Sequence, residues 1–60
     1  MPMPKDPFML LSYVNTQLRD NYPSLSELAN SLGEDEGAIR GTLENAGFVY
    51  DESLNRFVGK

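Results

Sequence analysis

Sixty residues are enough for one small domain, and a chain of this size buries only about 60% of the surface it exposes when unfolded. The absence of cysteine and histidine excludes disulfides, zinc and iron–sulfur sites, catalytic thiols and histidine-based acid–base chemistry. Nine acidic and five basic residues give a net charge of −4, which opposes non-specific binding to nucleic acid or anionic lipid. We therefore expect one domain without metal or cofactor, held by its core alone or with the help of dimerisation.

The organisation of the chain is simple. Its longest apolar run, residues 8–11, is too short for a membrane span or the core of a signal peptide, so we expect a cytoplasmic protein that does not bind membranes. Two prolines among the first five residues predict a disordered lead-in over 1–5. The domain is predicted to span 6–58 and to be followed by a tail, 59–60.

The first helix is predicted over 7–20. Asp6 is a typical N-cap residue, and Pro7 at the first helical position has no amide hydrogen to leave unpaired. At 100° per residue, one arc of this helix is apolar and is the predicted core face. Its members are Phe8, Leu10, Leu11, Val14 and Leu18.

Two shorter helices follow. Ser24 begins an S-x-x-E capping box, which predicts a helix over 25–32. Asp35 is the predicted N-cap of a third helix over 36–46, which Gly47 closes. The predicted core positions of these two helices are Leu25, Leu28, Ala29, Leu32, Ile39, Thr42, Leu43 and Ala46.

The last part of the chain is typical of a β-hairpin. Residues 48–50 and 56–58 are rich in aromatic and β-branched side chains, and a polar loop of four or five residues separates them. With a four-residue loop over 51–54, Phe48 is expected opposite Phe57, as an aromatic cross-strand pair.

Three helices and a hairpin predict an α+β fold, mostly α, with a helix-turn-helix-like core and the outline of a winged helix. Ala29 is small where two helices must approach closely, and Gly33 supplies the positive φ of the turn. Ile39 lies ten residues after Ala29, which is the spacing expected for a core residue in the second helix of the pair. Glu34 departs from the pattern, which usually has an apolar residue there.

The third helix is a poor DNA-reading helix. Such helices present basic, amide or hydroxyl side chains to bases and phosphates, whereas residues 34–36 are all acidic. We favour a solvated acidic face that complements the helix dipole. In the alternative, a DNA-binding regulator, the duplex contacts are expected from Arg40, Asn45 and Arg56.

Two groups of residues are candidates for contacts with a protein partner. Gly37 and Gly41 form a G-x-x-x-G stripe that either admits another helix or is a tolerated weak point. Met9 and Tyr13 lie one turn apart beside the core arc, where they either cover the hairpin or form an exposed patch. The predicted protein-contact residues are Met9, Tyr13, Gly37, Arg40 and Gly41.

Enzymatic chemistry is not expected. The acidic clusters at 34–36 and 51–52 do not follow the spacing of an EF-hand calcium loop. No serine has a histidine base, and the two lysines lie near the ends of the chain. The favoured function is therefore a non-enzymatic protein-interaction or regulatory module that binds another protein or itself. Its alternative is a DNA-binding regulator of the winged helix-turn-helix type.

The segment K-D-P-F-M-L-L-S-x-V-N-T-x-L-R-D, residues 5–20, resembles a family of short bacterial proteins of unknown function. The resemblance continues near 25–32 and in the hairpin, so it covers nearly the whole chain and implies a free-standing protein. It assigns no catalytic or binding residue. Within this segment we predict that Asn15 anchors the hairpin backbone and that Arg19 binds the carbonyls ending its own helix, with partner binding as the alternative.

Overall fold

The computed structural model describes residues 4–60 and contains three helices followed by one antiparallel hairpin. The elements are α1 (Pro7–Asp20), α2 (Leu25–Leu32), α3 (Glu36–Asn45), β1 (Phe48–Asp51) and β2 (Arg56–Gly59). The predicted α+β class, mostly α, is confirmed. Residues 1–3 of the predicted lead-in lie outside the described residues.

The three helix starts follow from local capping. Asp6 Oδ1 accepts the Phe8 amide at 2.8 Å, and Ser24 Oγ accepts the Glu27 amide at 3.2 Å. Asp35 caps α3 in the same way. Each cap satisfies an amide that has no partner inside the helix, and all three helices begin at the predicted residue. Helices α1 and α2 also end where predicted. The third helix ends one residue earlier than predicted.

The core lies where the three helices meet the inner face of the hairpin. The buried side chains are Leu10, Val14, Leu18, Leu25, Leu28, Ala29, Ile39, Leu43 and Phe57. Burial of Ala29 and Ile39, and a φ of +68° at Gly33, confirm the predicted spacing of the two helices around the turn. Thr42, a predicted core residue, is exposed.

Phe8 was expected in the core, and that prediction is wrong, because its side chain is 66% exposed. The residue lies at the edge of the apolar arc, in the first turn of α1. There its ring meets only the rim of the hairpin, edge-on against Phe48 with the ring centroids 6.1 Å apart. Phe48 is half-buried and packs against the core, whereas most of the Phe8 ring remains in solvent.

The hairpin register also differs from the prediction. Tyr50 pairs with Phe57, and Phe48 pairs with Gly59, so the expected Phe48–Phe57 pair does not form. The four-residue loop is 52–55, one residue later than predicted. The second strand therefore extends through Gly59, beyond the predicted domain end.

Side chains at the two ends of the loop explain this register. Asp51 Oδ1 accepts the amides of Ser53 and Leu54, at 2.9 and 3.2 Å, which makes Asp51 the start of the turn. Asn55 closes it with a φ of +52°, a left-handed conformation that asparagine tolerates better than most residues. The polar residues at 51 and 55 thus bracket the loop and set which strand residues face each other.

Alanine substitutions at two glycines of the helical part are expected to change the stability of the protein in opposite directions. Gly41→Ala is expected to stabilise the protein by about 0.5–1 kcal/mol, because alanine is favoured over glycine in the interior of a helix such as α3. A Cβ added at this position would meet no neighbouring group within 4 Å. Gly33→Ala is expected to destabilise it by about 1 kcal/mol, because φ is +68°. Urea unfolding of both variants tests this, and a destabilised Gly41→Ala would contradict the open space beside α3.

No helix within residues 4–60 is long and apolar enough to cross a membrane.

Candidate functional site

The outer edge of β2 is held by one side chain of α1. The Asn15 amide nitrogen donates to the Phe57 carbonyl at 3.1 Å, and its oxygen accepts the Phe57 amide at 2.8 Å. Both backbone groups therefore point away from β1, and Asn15 satisfies them as a neighbouring strand would. This confirms the prediction that Asn15 anchors the hairpin backbone.

The end of the hairpin is tied to the α1–α2 connection. The Asn55 amide nitrogen donates to the carbonyls of Leu18 and Tyr22, at 3.1 and 3.0 Å. The Tyr50 hydroxyl donates to Asn55 Oδ1 at 2.7 Å and accepts the Leu25 amide at 3.3 Å. Two hairpin side chains thus bind backbone groups at the end of one helix and the start of the next.

Sequence reasoning missed the roles of Tyr50 and Asn55. The only local signal was an asparagine at the last loop position, which is compatible with positive φ. Its partners Leu18 and Tyr22 lie 37 and 33 residues away in sequence, and no spacing rule connects them.

These anchors leave a groove between the outer side of α1 and the end of the hairpin. It has a volume of about 670 Å³, and Asn15 and Asn55 form part of its wall. We call it the α1–hairpin groove. Its other polar and exposed lining residues are Ser12, Thr16, Arg19, Leu54 and Arg56.

The charged lining of this groove is basic. Arg19 is bound to the adjacent Asp20, with an Nε–Oδ1 distance of 2.9 Å, and this hydrogen bond lowers the pKa of Asp20. The predicted contact of Arg19 with the carbonyls ending α1 is wrong, since its guanidinium binds the Asp20 carboxylate instead. The salt bridges of residues 4–60 join Arg19 to Asp20 and Arg40 to Glu36, and Arg56 takes part in neither.

Arg40 is engaged within the protein. Its Nη2 lies 3.2 Å from Glu36 Oε2, and its guanidinium carbon lies 5.3 Å from the centroid of the Tyr50 ring. The Ser26 hydroxyl also donates to Glu36, at 2.8 Å. The hydrogen bond from Ser26, followed by that from Arg40, lowers the pKa of Glu36.

The structure does not gather the nucleic-acid candidates on one surface. Arg40 packs on Tyr50, whose ring lies on the inner face of the hairpin with Phe57, at a centroid distance of 5.4 Å. Arg56 precedes Phe57 in β2, so its side chain leaves the opposite face. Asn45 is exposed at the end of α3.

The protein-contact candidates are also divided. Met9 is 62% exposed, whereas Tyr13 is half-buried and packs against the core. Gly37 is exposed on α3, and Gly41 is half-buried. Together with Arg40, these residues lie outside the α1–hairpin groove, which sequence reasoning did not identify.

Acid is expected to destabilise the protein only below about pH 5. The lowered pKa of Glu36 and of Asp51, the latter chiefly through the Ser53 hydroxyl, favours the folded state at higher pH. That stabilisation is complete above the ordinary pKa of 4.5 for glutamate and is lost as the pH falls through the lowered value. Without histidine, the urea midpoint is expected to be flat between about pH 5 and 8.

The check is a series of urea unfolding curves from neutral to acidic pH. Glu36→Gln is expected to reduce the loss of stability in acid, whereas Glu44→Gln, on an exposed position of the same helix, serves as the control. Equal acid sensitivity in Glu36→Gln and the unmodified protein would contradict the role assigned to the Glu36 contacts.

Comparison with known proteins agrees with the sequence-based resemblance. Residues 4–57 match the model of a family described as a domain of unknown function, DUF4250. The chain belongs to this family. No curated protein and no solved structure matches it. Membership of the DUF4250 family assigns no activity.

Proposed function

We propose that this DUF4250 protein is a small, non-enzymatic protein-binding module whose binding surface is the α1–hairpin groove. The observation that supports this most directly is the exposed side chain of Leu54, 60% accessible, beside Arg56 in a groove of about 670 Å³. Arginine is enriched at protein interfaces, and the exposed leucine beside it offers apolar area that a partner can bury.

The loop that carries Leu54 is held in place before any partner arrives. Asp51 accepts the Leu54 amide, and Asn55 is bound to the backbone of Leu18 and Tyr22. Single exposed leucines are ordinary on protein surfaces. Leu54 differs because a hydrogen-bonded loop presents it at the edge of a groove, which lowers the entropy lost on binding.

Several further expectations belong to this proposal. The titratable groups that line the groove are arginines, and a guanidinium stays protonated at neutral pH, so it is a poor general acid or base. This supports a binding role over an enzymatic one. The proposal also retains a cytoplasmic location, a winged-helix-like scaffold, no membrane, metal or cofactor, and self-association as a second form of partner binding.

A DNA-binding regulator is the less supported function. Arg40 is already bound to Glu36 and stacked on Tyr50, and Arg56 leaves the other face of the hairpin. Anisotropy of a labelled random duplex at low salt is expected to stay flat up to hundreds of micromolar protein. Saturable binding that weakens with salt would favour DNA binding instead.

The proposed function is tested by selecting peptides from a random library against the full chain and mapping them by ¹⁵N NMR. Selected peptides are expected to shift the amides of Thr16, Leu54 and Arg56. Leu54→Ser is expected to abolish binding, and Met9→Ser is the matched control, since Met9 is equally exposed at 62% but lies outside the groove. Loss of binding in Met9→Ser alone would move the site to the first turn of α1 and overturn the proposal.

A further inference from the structure

We infer that the α1–hairpin groove binds a peptide segment through a carboxylate held by Arg56, next to an apolar side chain packed on Leu54. This inference rests on the proposed function and adds the chemistry of the partner. It follows from how the few basic residues are distributed over an acidic protein.

Five basic residues stand against nine acidic ones in the sequence. Two of the five, Arg19 and Arg56, line the groove, and no carboxylate is among its lining residues. Arg19 is paired with Asp20 at 2.9 Å, whereas Arg56 forms no salt bridge among residues 4–60. Arg40 lies elsewhere and is neutralised by Glu36 at 3.2 Å. An acidic segment is therefore repelled by most of this surface and attracted to the groove, which makes charge a determinant of where it docks.

Arg56 forms no salt bridge with its cross-strand neighbour. Asp51 is the cross-strand neighbour of Arg56, where an ion pair would be expected. Instead, Asp51 Oδ1 accepts the Ser53 hydroxyl at 2.6 Å and the amides of Ser53 and Leu54. The same turn that positions Leu54 thus leaves the Arg56 guanidinium without a salt bridge among residues 4–60.

The other donors at the groove differ in availability. Asn15 and Asn55 use their amide groups on backbone partners inside the protein. Ser12 and Thr16 are exposed, lie one helical turn apart on α1 and line the groove together with Arg56. A carboxylate bound by a planar guanidinium in two parallel hydrogen bonds has oxygen lone pairs left for such hydroxyls.

The experiment compares two small probes that differ in one charge. N-acetyl-leucine carries a carboxylate beside a leucine side chain, and N-acetyl-leucinamide carries a neutral amide in its place. In ¹⁵N NMR titrations of the full chain, N-acetyl-leucine is expected to shift Thr16, Leu54 and Arg56 with millimolar affinity, as expected for a ligand of this size. N-acetyl-leucinamide is expected to bind at least about fivefold more weakly, and the difference is expected to shrink at high salt.

Substitutions identify the group that recognises the charge. Arg56→Gln is expected to reduce the affinity for N-acetyl-leucine to that of the amide. Lys60→Gln, which removes the same charge at an exposed position outside the groove, is expected to leave it unchanged. An equal loss in both variants would show a general charge effect and overturn the assignment to Arg56.

The outcomes separate this inference from the proposed function. If the two probes bind the groove equally, or if selected peptides map there without carboxylates, the inference fails and the protein-binding function stands. If inorganic phosphate shifts the same amides at lower concentration than N-acetyl-leucine does, the carboxylate assignment is overturned. If neither probes nor selected peptides shift the groove, both proposals fail.

Discussion

Phe57→Ala is expected to remove about half or more of the free energy of unfolding of the protein in water at room temperature. Phe57 is 1% exposed and is the largest of the fully buried side chains. Its ring packs against that of Tyr50, with the ring centroids 5.4 Å apart. Truncating such a side chain costs about 3–5 kcal/mol. A domain of this length has a total stability of only about 3–9 kcal/mol at typical values per residue. Circular dichroism across a urea series measures the effect.

Phe8→Ala is the matched control for this prediction. Both residues are phenylalanines predicted to be structural from the sequence, but Phe8 is 66% exposed and touches Phe48 at one edge only. We expect it to cost less than about 1 kcal/mol. Similar unfolding midpoints for Phe8→Ala and Phe57→Ala would contradict the described core.

Asn55→Ala is expected to destabilise the protein by about 3 kcal/mol. The substitution removes the hydrogen bonds to Leu18, Tyr22 and Tyr50, each worth about 0.5–1.5 kcal/mol. It also places alanine at a φ of +52°, which costs roughly another 1 kcal/mol. Urea unfolding gives the total.

Two further variants divide this effect into its parts. Asn55→Gly keeps the left-handed backbone and removes only the side-chain bonds, so it is expected to cost about 2 kcal/mol. Asn55→Asp keeps an acceptor for the Tyr50 hydroxyl and loses both donors to Leu18 and Tyr22. If Asn55→Gly is as stable as the unmodified protein, these hydrogen bonds contribute nothing net, and backbone conformation alone explains the alanine variant.

These anchors connect stability with the proposed binding surface. Asn55 lies between Leu54 and Arg56, and both line the α1–hairpin groove. A variant that removes the hydrogen bonds from residue 55 to the Leu18 and Tyr22 carbonyls, while the core remains folded, is therefore expected to weaken peptide binding at the groove. Asn55→Gly serves both purposes, because its stability and its affinity for selected peptides can be measured on the same sample.

Local signals were sufficient to predict the helices. Asp6, Ser24 and Asp35 each cap a helix through an amide two or three residues away, and the apolar period identifies the buried side of each helix. The turn at Gly33 follows in the same way, because a positive φ is a property of one residue. Asn15 was also predictable, as a polar residue at the edge of an apolar arc.

The groove, and in part the hairpin register, arise from contacts between distant parts of the chain. Alternation alone allows several pairings of short strands, and the bonds from Asn55 to Leu18 and Tyr22, across more than thirty residues, favour one of them. The groove likewise joins Ser12 and Thr16 of α1 to Leu54 and Arg56 of the hairpin. Whether a side chain at such a site can bind a partner depends on the contacts that it already makes within the folded protein. Arg40 is paired with Glu36 within its own helix, whereas Arg56 forms no salt bridge with its cross-strand neighbour Asp51, whose Oδ1 is bound in the turn.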